Sequence, residues 1–144
     1  MQTLIIIPTY NEKENIVKLL QFIFSYLSQV HILVIDDNYP DGSGAVVEDL
    51  QQQSYPEQLF LRKRSGKLGL ASAYIDGFEW ALKRDYDYIM EMDADFSHQP
   101  QFLPDILDSL KNNDLVLGSR YVEGGGIEGW GWLRQFISKG GSLY

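Results

Sequence analysis

The sequence predicts an α/β fold, a mostly parallel sheet with helices on both faces, and three observations carry that prediction. Short apolar runs alternate with amphipathic stretches along the whole chain. The first run, Thr3–Pro8 (TLIIIP), is continuous and β-branched, the pattern of a strand covered on both sides. Polar clusters at Tyr10–Glu12, Asp36–Asn38, Arg64–Lys67 and Asp93–Asp95 each directly follow a predicted strand. Strand–helix alternation implies right-handed crossovers and parallel pairing. In such a sheet ligands bind beyond the carboxyl ends of the strands, so the four clusters are expected to converge on one edge.

Taken in order, Thr3–Pro8 is the first strand. Asn11 is the candidate cap of a helix with Glu12 and Glu14 in its first turn, and Ile16, Leu19, Leu20, Ile23, Phe24 and Leu27 recur at helical spacing. His31–Ile35 is the second strand, ended by the polar loop DDNYPDGSG, and Ala45–Gln53 is the second helix. Gln58–Arg62 is the third strand, and Lys63–Gly69 is a basic, glycine-containing turn. Leu70, Tyr74, Phe78, Ala81 and Leu82 form a third helical stripe. Tyr86–Met92 is the fourth strand; Phe102, Leu103, Ile106, Leu107 and Leu110 mark a fourth helix. Leu115–Leu117 is expected to be a short fifth strand, followed by a glycine-rich loop from Gly118 to Gly131. No repeat or linker interrupts this order, so 144 residues are read as one domain.

Composition narrows the function. There is no cysteine, which excludes disulfides, thiolate metal sites and cysteine nucleophiles. Two histidines, His31 and His98, do not make a multi-histidine zinc site. A net charge of -8 argues against nucleic acid as a partner. No basic stretch precedes the apolar run Leu4–Ile7, and no run reaches the ~18 apolar residues of a membrane span, so the expected location is cytoplasmic.

Within the clusters, Asp93 and Asp95 stand at i and i+2 after a strand, where two carboxylates can share one hard cation. Mg²⁺ and Mn²⁺ favour oxygen ligands and commonly combine carboxylates with phosphate oxygens. The competing reading is a helix cap. Asp36 and Asp37 follow the second strand; one suits a ribose or base, the other the turn. Arg62, Lys63, Arg64 and Lys67 are four of the 12 basic residues, suited either to phosphate contact or to a solvated loop, and Lys67 is the preferred phosphate ligand. His98 reads as part of a capping loop rather than a catalytic group, and His31 as structural. P-loop and dinucleotide glycine fingerprints are absent. Near the end, Trp130, Trp132, Leu133, Phe136 and Ile137 lie beside Arg134 and Lys139, which suits a bilayer interface or packing against another surface.

Read together, Pro8-Thr9-Tyr10-Asn11-Glu12, Asp36-Asp37-Asn38-Tyr39-Pro40-Asp41-Gly42, Lys67-Leu68-Gly69-Leu70, Asp93-Ala94-Asp95-Phe96-Ser97-His98, Gly118-Ser119-Arg120-Tyr121 and Gly124-Gly125-Gly126 closely resemble the dolichol-phosphate (polyprenyl-phosphate) mannose synthases. These are family-two inverting glycosyltransferases of the GT-A, Rossmann-like fold. The resemblance runs from about residue 4 to the end, with Tyr39 standing where the family usually has serine. It implies that Pro8, Tyr10 and Glu12 line a nucleotide pocket and that Ile35 and Asp37 contact the base and ribose, with Asp36 and Lys67 in the same nucleotide-sugar site. Asp93, Ala94 and Asp95 would flank Mg²⁺ or Mn²⁺ on the diphosphate, with Asp93 and Asp95 as ligands, and Arg120 would bind phosphate. The implied donor is GDP-mannose and the implied acceptor a polyprenyl or dolichyl monophosphate, at the cytosolic face of a membrane. The family continues beyond Tyr144, so the resemblance implies a C-terminally truncated chain in which 130–144 begins an amphipathic, membrane-facing segment. Alternatives are a related transferase making polyprenyl-phosphate glucose or aminoarabinose, a nucleotide-sugar-binding fragment without turnover, and a flavodoxin-like flavin-binding domain.

Overall fold

The computed structural model describes residues 1–38, 40–119 and Ser138. Its elements are β1 (Thr3–Thr9), α1 (Lys13–Tyr26), β2 (His31–Asp36), α2 (Ser43–Ser54), β3 (Leu59–Lys63), α3 (Leu70–Ala81), β4 (Tyr88–Glu91), a 3₁₀ turn (Pro100–Phe102) and α4 (Leu103–Leu110). The four strands form one parallel sheet in the order β3-β2-β1-β4. Leu4 pairs with His31 and Thr9 with Asp36 across β1 and β2; Ile6 pairs with Glu91 across β1 and β4.

The continuous apolar run of β1 is explained by two cores. Ile5 and Ile7, with Ile32 and Val34 of β2, pack against Ile16, Leu19, Leu20 and Ile23 of α1 and Val47 of α2. Leu4 and Ile6, with Leu33 and Ile35, turn to the other face and pack against Ala73 and Ala81 of α3. Alternate residues of one strand thus serve opposite layers. α3 comes close to the sheet because Gly77 has no side chain. A Cβ there would sit 2.7 Å from Ile6 Cγ2 and 3.0 Å from Ile35 Cδ1.

After β3 the chain crosses to the far side of β1 to form β4. The strand order thus reverses at β1, and such a reversal is where a crevice forms beyond the carboxyl ends of the strands. This places Tyr10–Glu12, Asp36–Asp37, Arg64 and Asp93–Asp95 on one edge of the sheet, as the sequence pattern predicts.

The structure revises several local readings. Asn11 does not cap α1: it has a left-handed φ of 62°, and Glu12 holds the cap position. The first amide of the helix, Lys13 N–H, donates instead to Asp41 Oδ2 at 3.1 Å. α2 begins at Ser43 rather than Ala45, because Asp41 Oδ1 accepts the Ser43 N–H at 2.9 Å and opens the helix earlier. In α3 the buried positions are Ala73, Gly77 and Ala81, while Leu70 and Leu82 are exposed. Close approach to the sheet selects small residues on that face. β4 is confined to Tyr88–Glu91, the part with a β1 partner. Leu115–Leu117 form no strand: both leucines are exposed, and no strand among the described residues extends the sheet beyond β4 to pair with them. Among the described residues no helix is long and apolar enough to cross a membrane.

His31 is structural, as expected. Its ring meets Phe60 and Tyr86 edge-on, and its Nδ1 lies 3.0 Å from the Tyr86 hydroxyl. Burial lowers its pKa below the ordinary value.

Candidate functional site

The base of the site is the junction of β1 and β2. Asp37 N–H donates to Thr9 C=O at 3.1 Å, carrying the strand pairing one step beyond the sheet. Asp36 is buried, and the Thr9 hydroxyl donates to its Oδ1 at 3.3 Å. Burial raises the Asp36 pKa, and the Thr9 hydrogen bond opposes that rise only in part. Asp36 thus supports the loop from below.

Asp37 is also buried, and it is fully engaged. Arg64 Nε donates to its Oδ1 at 2.5 Å, Arg64 Nη2 pairs with the same oxygen, and Leu68 N–H donates to Oδ2 at 3.1 Å. Arg64 reaches onward to Ser72 Oγ (2.8 Å) and to Gly69 C=O (3.1 Å). One guanidinium thereby ties the end of β2 to the first turn of α3. Asp37 thus makes bracing contacts through both carboxylate oxygens. Of the four basic residues, Arg62 pairs with Asp76 and Lys63 with Glu48, each at 2.6 Å. The solvated-face reading holds for those two. Lys67 instead lies over the Tyr10 ring, its Nζ 4.2 Å from the centroid, and lines the same edge as Glu12.

The Tyr10–Glu12 turn is held by the opposite loop. Glu12 N–H donates to Ser43 Oγ at 3.2 Å, and the Glu12 carboxylate accepts from Asn15 Nδ2 at 3.0 Å. Ser43 Oγ in turn donates to Asp41 Oδ2 at 2.6 Å. Burial works against ionisation of Asp41, but the hydrogen bonds from Ser43 and Lys13 outweigh it and hold the carboxyl below its ordinary pKa. Pro8 is half-buried near the end of β1. Ile35 is fully buried in the core beneath α3.

On the far side of β1, Met92 N–H donates to Ile6 C=O at 3.1 Å, and the chain then turns through Asp93–Ala94–Asp95. Ala94 is buried and anchors this turn in the core, while Asp93 is half-buried and Asp95 exposed. Asp93 Oδ1 accepts from the Tyr74 hydroxyl at 3.0 Å, and Asp93 N–H donates to His98 Nδ1 at 3.1 Å. Asp95 Oδ1 accepts from Ser97 N–H at 2.9 Å. The Ser97 side chain and amide outweigh burial and hold Asp95 below the ordinary carboxylate range, so it is ionised at neutral pH. Asp95 therefore caps its turn while keeping a charged, solvent-facing carboxylate.

No group of three or more His, Cys, Asp or Glu gathers into a metal cage among the described residues. Two accessible carboxylates fit a different donor set, that of Mg²⁺ or Mn²⁺ completed by diphosphate oxygens and water. Arg120, Tyr39 and, Ser138 apart, the aromatic segment 130–144 lie outside the described residues. Tyr74, Asp41, Ser43 and the Arg64–Asp37 pair are the parts that sequence reasoning missed. Tyr74 reads as one more apolar position of a helical stripe, and nothing local marks its partner.

Comparison with known proteins agrees with this architecture. The family model described as Glycosyl transferase family 2 matches residues 4–143. Polyprenol monophosphomannose synthase of Mycolicibacterium smegmatis is 44% identical over 144 residues, covering 99% of this chain and 54% of the relative. Undecaprenyl-phosphate mannosyltransferase of Micrococcus luteus is 43% identical over 144 residues, covering 100% of this chain and 58% of the relative. The chain thus spans a little over half the length of these curated relatives. Among solved structures, S. aureus TarS 1-349 superposes with a TM-score of 0.63 at 17% identity, over 84% of this chain and 40% of that one. The mannosyltransferase PcManGT of Pyrobaculum calidifontis, solved in complex with GDP-Man and Mn²⁺, gives a TM-score of 0.51 at 24% identity, over 55% of this chain and 24% of that one. Both likenesses speak to the fold, which is of the GT-A type, and the flavodoxin-like alternative is set aside. With a match that spans nearly the whole sequence, the chain belongs to glycosyl transferase family 2.

Proposed function

We propose that the chain forms the nucleotide-sugar-binding part of a transferase that moves mannose from GDP-mannose to a polyprenyl or dolichyl monophosphate, with inversion. The observation that carries this reading is the meeting of a pinned Asp37 and an accessible Asp93–Asp95 pair at the carboxyl edge of one parallel sheet. The two relatives, named for polyprenol and undecaprenyl-phosphate mannosyl transfer, support the acceptor class. The neighbour solved with GDP-Man and Mn²⁺ supports the donor and the metal.

The chemistry asks little acid–base work of the protein. A phosphate monoester has a second pKa near ~6, so the acceptor is already an anionic nucleophile at neutral pH. Its oxygen attacks the anomeric carbon as the bond to the donor diphosphate breaks on the opposite face, which inverts that centre. Asp93 and Asp95 would hold Mg²⁺ or Mn²⁺, which when bound neutralises the departing diphosphate. Tyr10, Glu12 and Lys67 border the space for the nucleotide, and the Arg64–Asp37 pair keeps that border in place. Arg120 is assigned by resemblance to phosphate binding. The remaining work is to align donor and acceptor, which a rigid sheet edge does well. Segment 130–144, with Trp130, Trp132 and Phe136, is assigned to contact with the cytosolic face of a membrane.

Calorimetry with GDP and UDP, each with and without Mn²⁺, tests the reading. Mn²⁺-dependent GDP binding that exceeds UDP binding is the expected result, and metal-independent or UDP-selective binding would overturn it. A panel of nucleotide sugars with a polyprenyl phosphate then separates mannose from glucose transfer, and binding without turnover from an active chain.

A further inference from the structure

We propose that Tyr74 is a positioning residue, whose hydroxyl fixes the carboxylate of Asp93 at the carboxyl end of β4 in the arrangement a divalent cation requires. This rests on the reading of Asp93 and Asp95 as cation ligands. Tyr74 lies on α3, half-buried against the sheet, and donates to Asp93 Oδ1 at 3.0 Å. The acceptor belongs to the irregular turn after β4, where no ladder hydrogen bonds hold the backbone. The Asp93 amide is fixed separately by His98 Nδ1 at 3.1 Å. The residue is thus held at two points, its backbone by the following loop and its side chain by α3.

The direction of this bond follows from the groups themselves: the phenol O–H donates and the carboxylate oxygen accepts. A carboxylate with one oxygen occupied by a neutral donor keeps its full charge and its other oxygen for a cation. Ligand carboxylates are commonly oriented in this way, and loss of the orienting group typically weakens metal binding by about 10–100-fold.

The same helix also reaches the other half of the site. Its first turn receives Arg64 at Ser72 and Gly69, and Leu68 just before it donates to Asp37. Tyr74 therefore transmits to Asp93 a helix position already set by the nucleotide-side pair. A Phe at 74 keeps the ring and its packing and removes only the hydroxyl.

Mn²⁺ titrations of the chain in saturating GDP, read by electron paramagnetic resonance, test this. They use the wild type, Tyr74→Phe and Asp93→Asn, with metal-free GDP affinity and Tm measured alongside. Tyr74→Phe is expected to raise the Mn²⁺ Kd by about tenfold or more, with metal-free GDP affinity at the wild-type value. A Mn²⁺ Kd equal to wild type would overturn the proposal. So would parallel losses of Mn²⁺ affinity, metal-free GDP affinity and Tm, which mark a general packing role. A wild type that binds no Mn²⁺, or an Asp93→Asn variant that binds it as wild type does, removes the cation site itself and this proposal with it. Tyr74→Phe matching wild type while Asp93→Asn fails overturns the positioning role alone.

Discussion

Arg64 and Asp37 form an ion pair whose side chains are only 6% and 8% exposed, and the pair joins the end of β2 to the start of α3. The other side-chain ion pairs among the described residues lie nearer the surface. A buried charge is tolerable only while its partner is present. The position of this pair, joining the end of β2 to the start of α3, makes it a structural part of the site.

Arg64→Ala is therefore expected to destabilise the chain by about 3–5 kcal/mol, because Asp37 is left buried without its counter-charge. Arg64→Lys should rescue little, since an ammonium does not reproduce the fork that reaches Asp37, Ser72 and Gly69 together. An apolar replacement of both partners, Arg64→Met with Asp37→Leu, should recover much of the stability yet still bind GDP poorly. Urea denaturation and GDP calorimetry on the three variants check this; a wild-type Arg64→Ala stability would refute it.

Asp93→Asn and Asp95→Asn are expected to abolish the Mn²⁺-dependent part of GDP binding. Stability should change by no more than about 0.5 kcal/mol, because Asn keeps the acceptor for Tyr74 or for Ser97 and both positions reach solvent. Calorimetry with and without Mn²⁺ reads the first quantity and thermal melting the second. Retention of metal-dependent transfer by either variant would remove that carboxylate from the cation site.

Gly77→Ala probes the contact between α3 and the sheet. The added methyl would lie 2.7 Å from Ile6 Cγ2, and both Ile6 and Ile35 are fully buried. Overpacking of this kind costs about 1–3 kcal/mol, even though alanine is the better helix former. A melting temperature lowered by several degrees is the expected outcome, and an unchanged or raised one would show that α3 can shift outward.

Asp41 makes stability depend on pH on the acid side. Its folded-state pKa lies below the ordinary 3.8, so the unfolded chain takes up the proton first as acid is added. Its contribution is present above that ordinary value and is lost as pH falls through the depressed one. Asp36 acts in the opposite sense, since its raised pKa means that acid relieves a cost of burial. Asp41→Asn should thus be less stable than wild type at neutral pH, with the gap closing in acid. Denaturation measured across this range decides the matter; a gap constant with pH would contradict it.

The alternation of apolar runs was enough to read the sheet, its parallel sense and the edge on which the polar clusters meet. Burial on both faces forces a strand such as Leu4–Ile7 to be apolar throughout, and that signature is local. The Asp93–Asp95 pair is legible for the same reason, being two residues apart after a strand. Leu115–Leu117 shows the limit: an apolar triplet becomes a strand only where it pairs with another, and pattern alone does not report that pairing.

What only the tertiary structure decided is the set of partners. Asn11 is a good cap by type, yet α1 is capped by Asp41, 28 positions away. Arg64 meets Asp37 across 27 positions and Tyr74 meets Asp93 across 19. Residue type and spacing determine which face of an element is buried, because that depends on the period of the backbone. Hydrogen-bond and charge partners depend on where separate elements come to rest, and Gly77, by letting α3 close on the sheet, helps to set that distance.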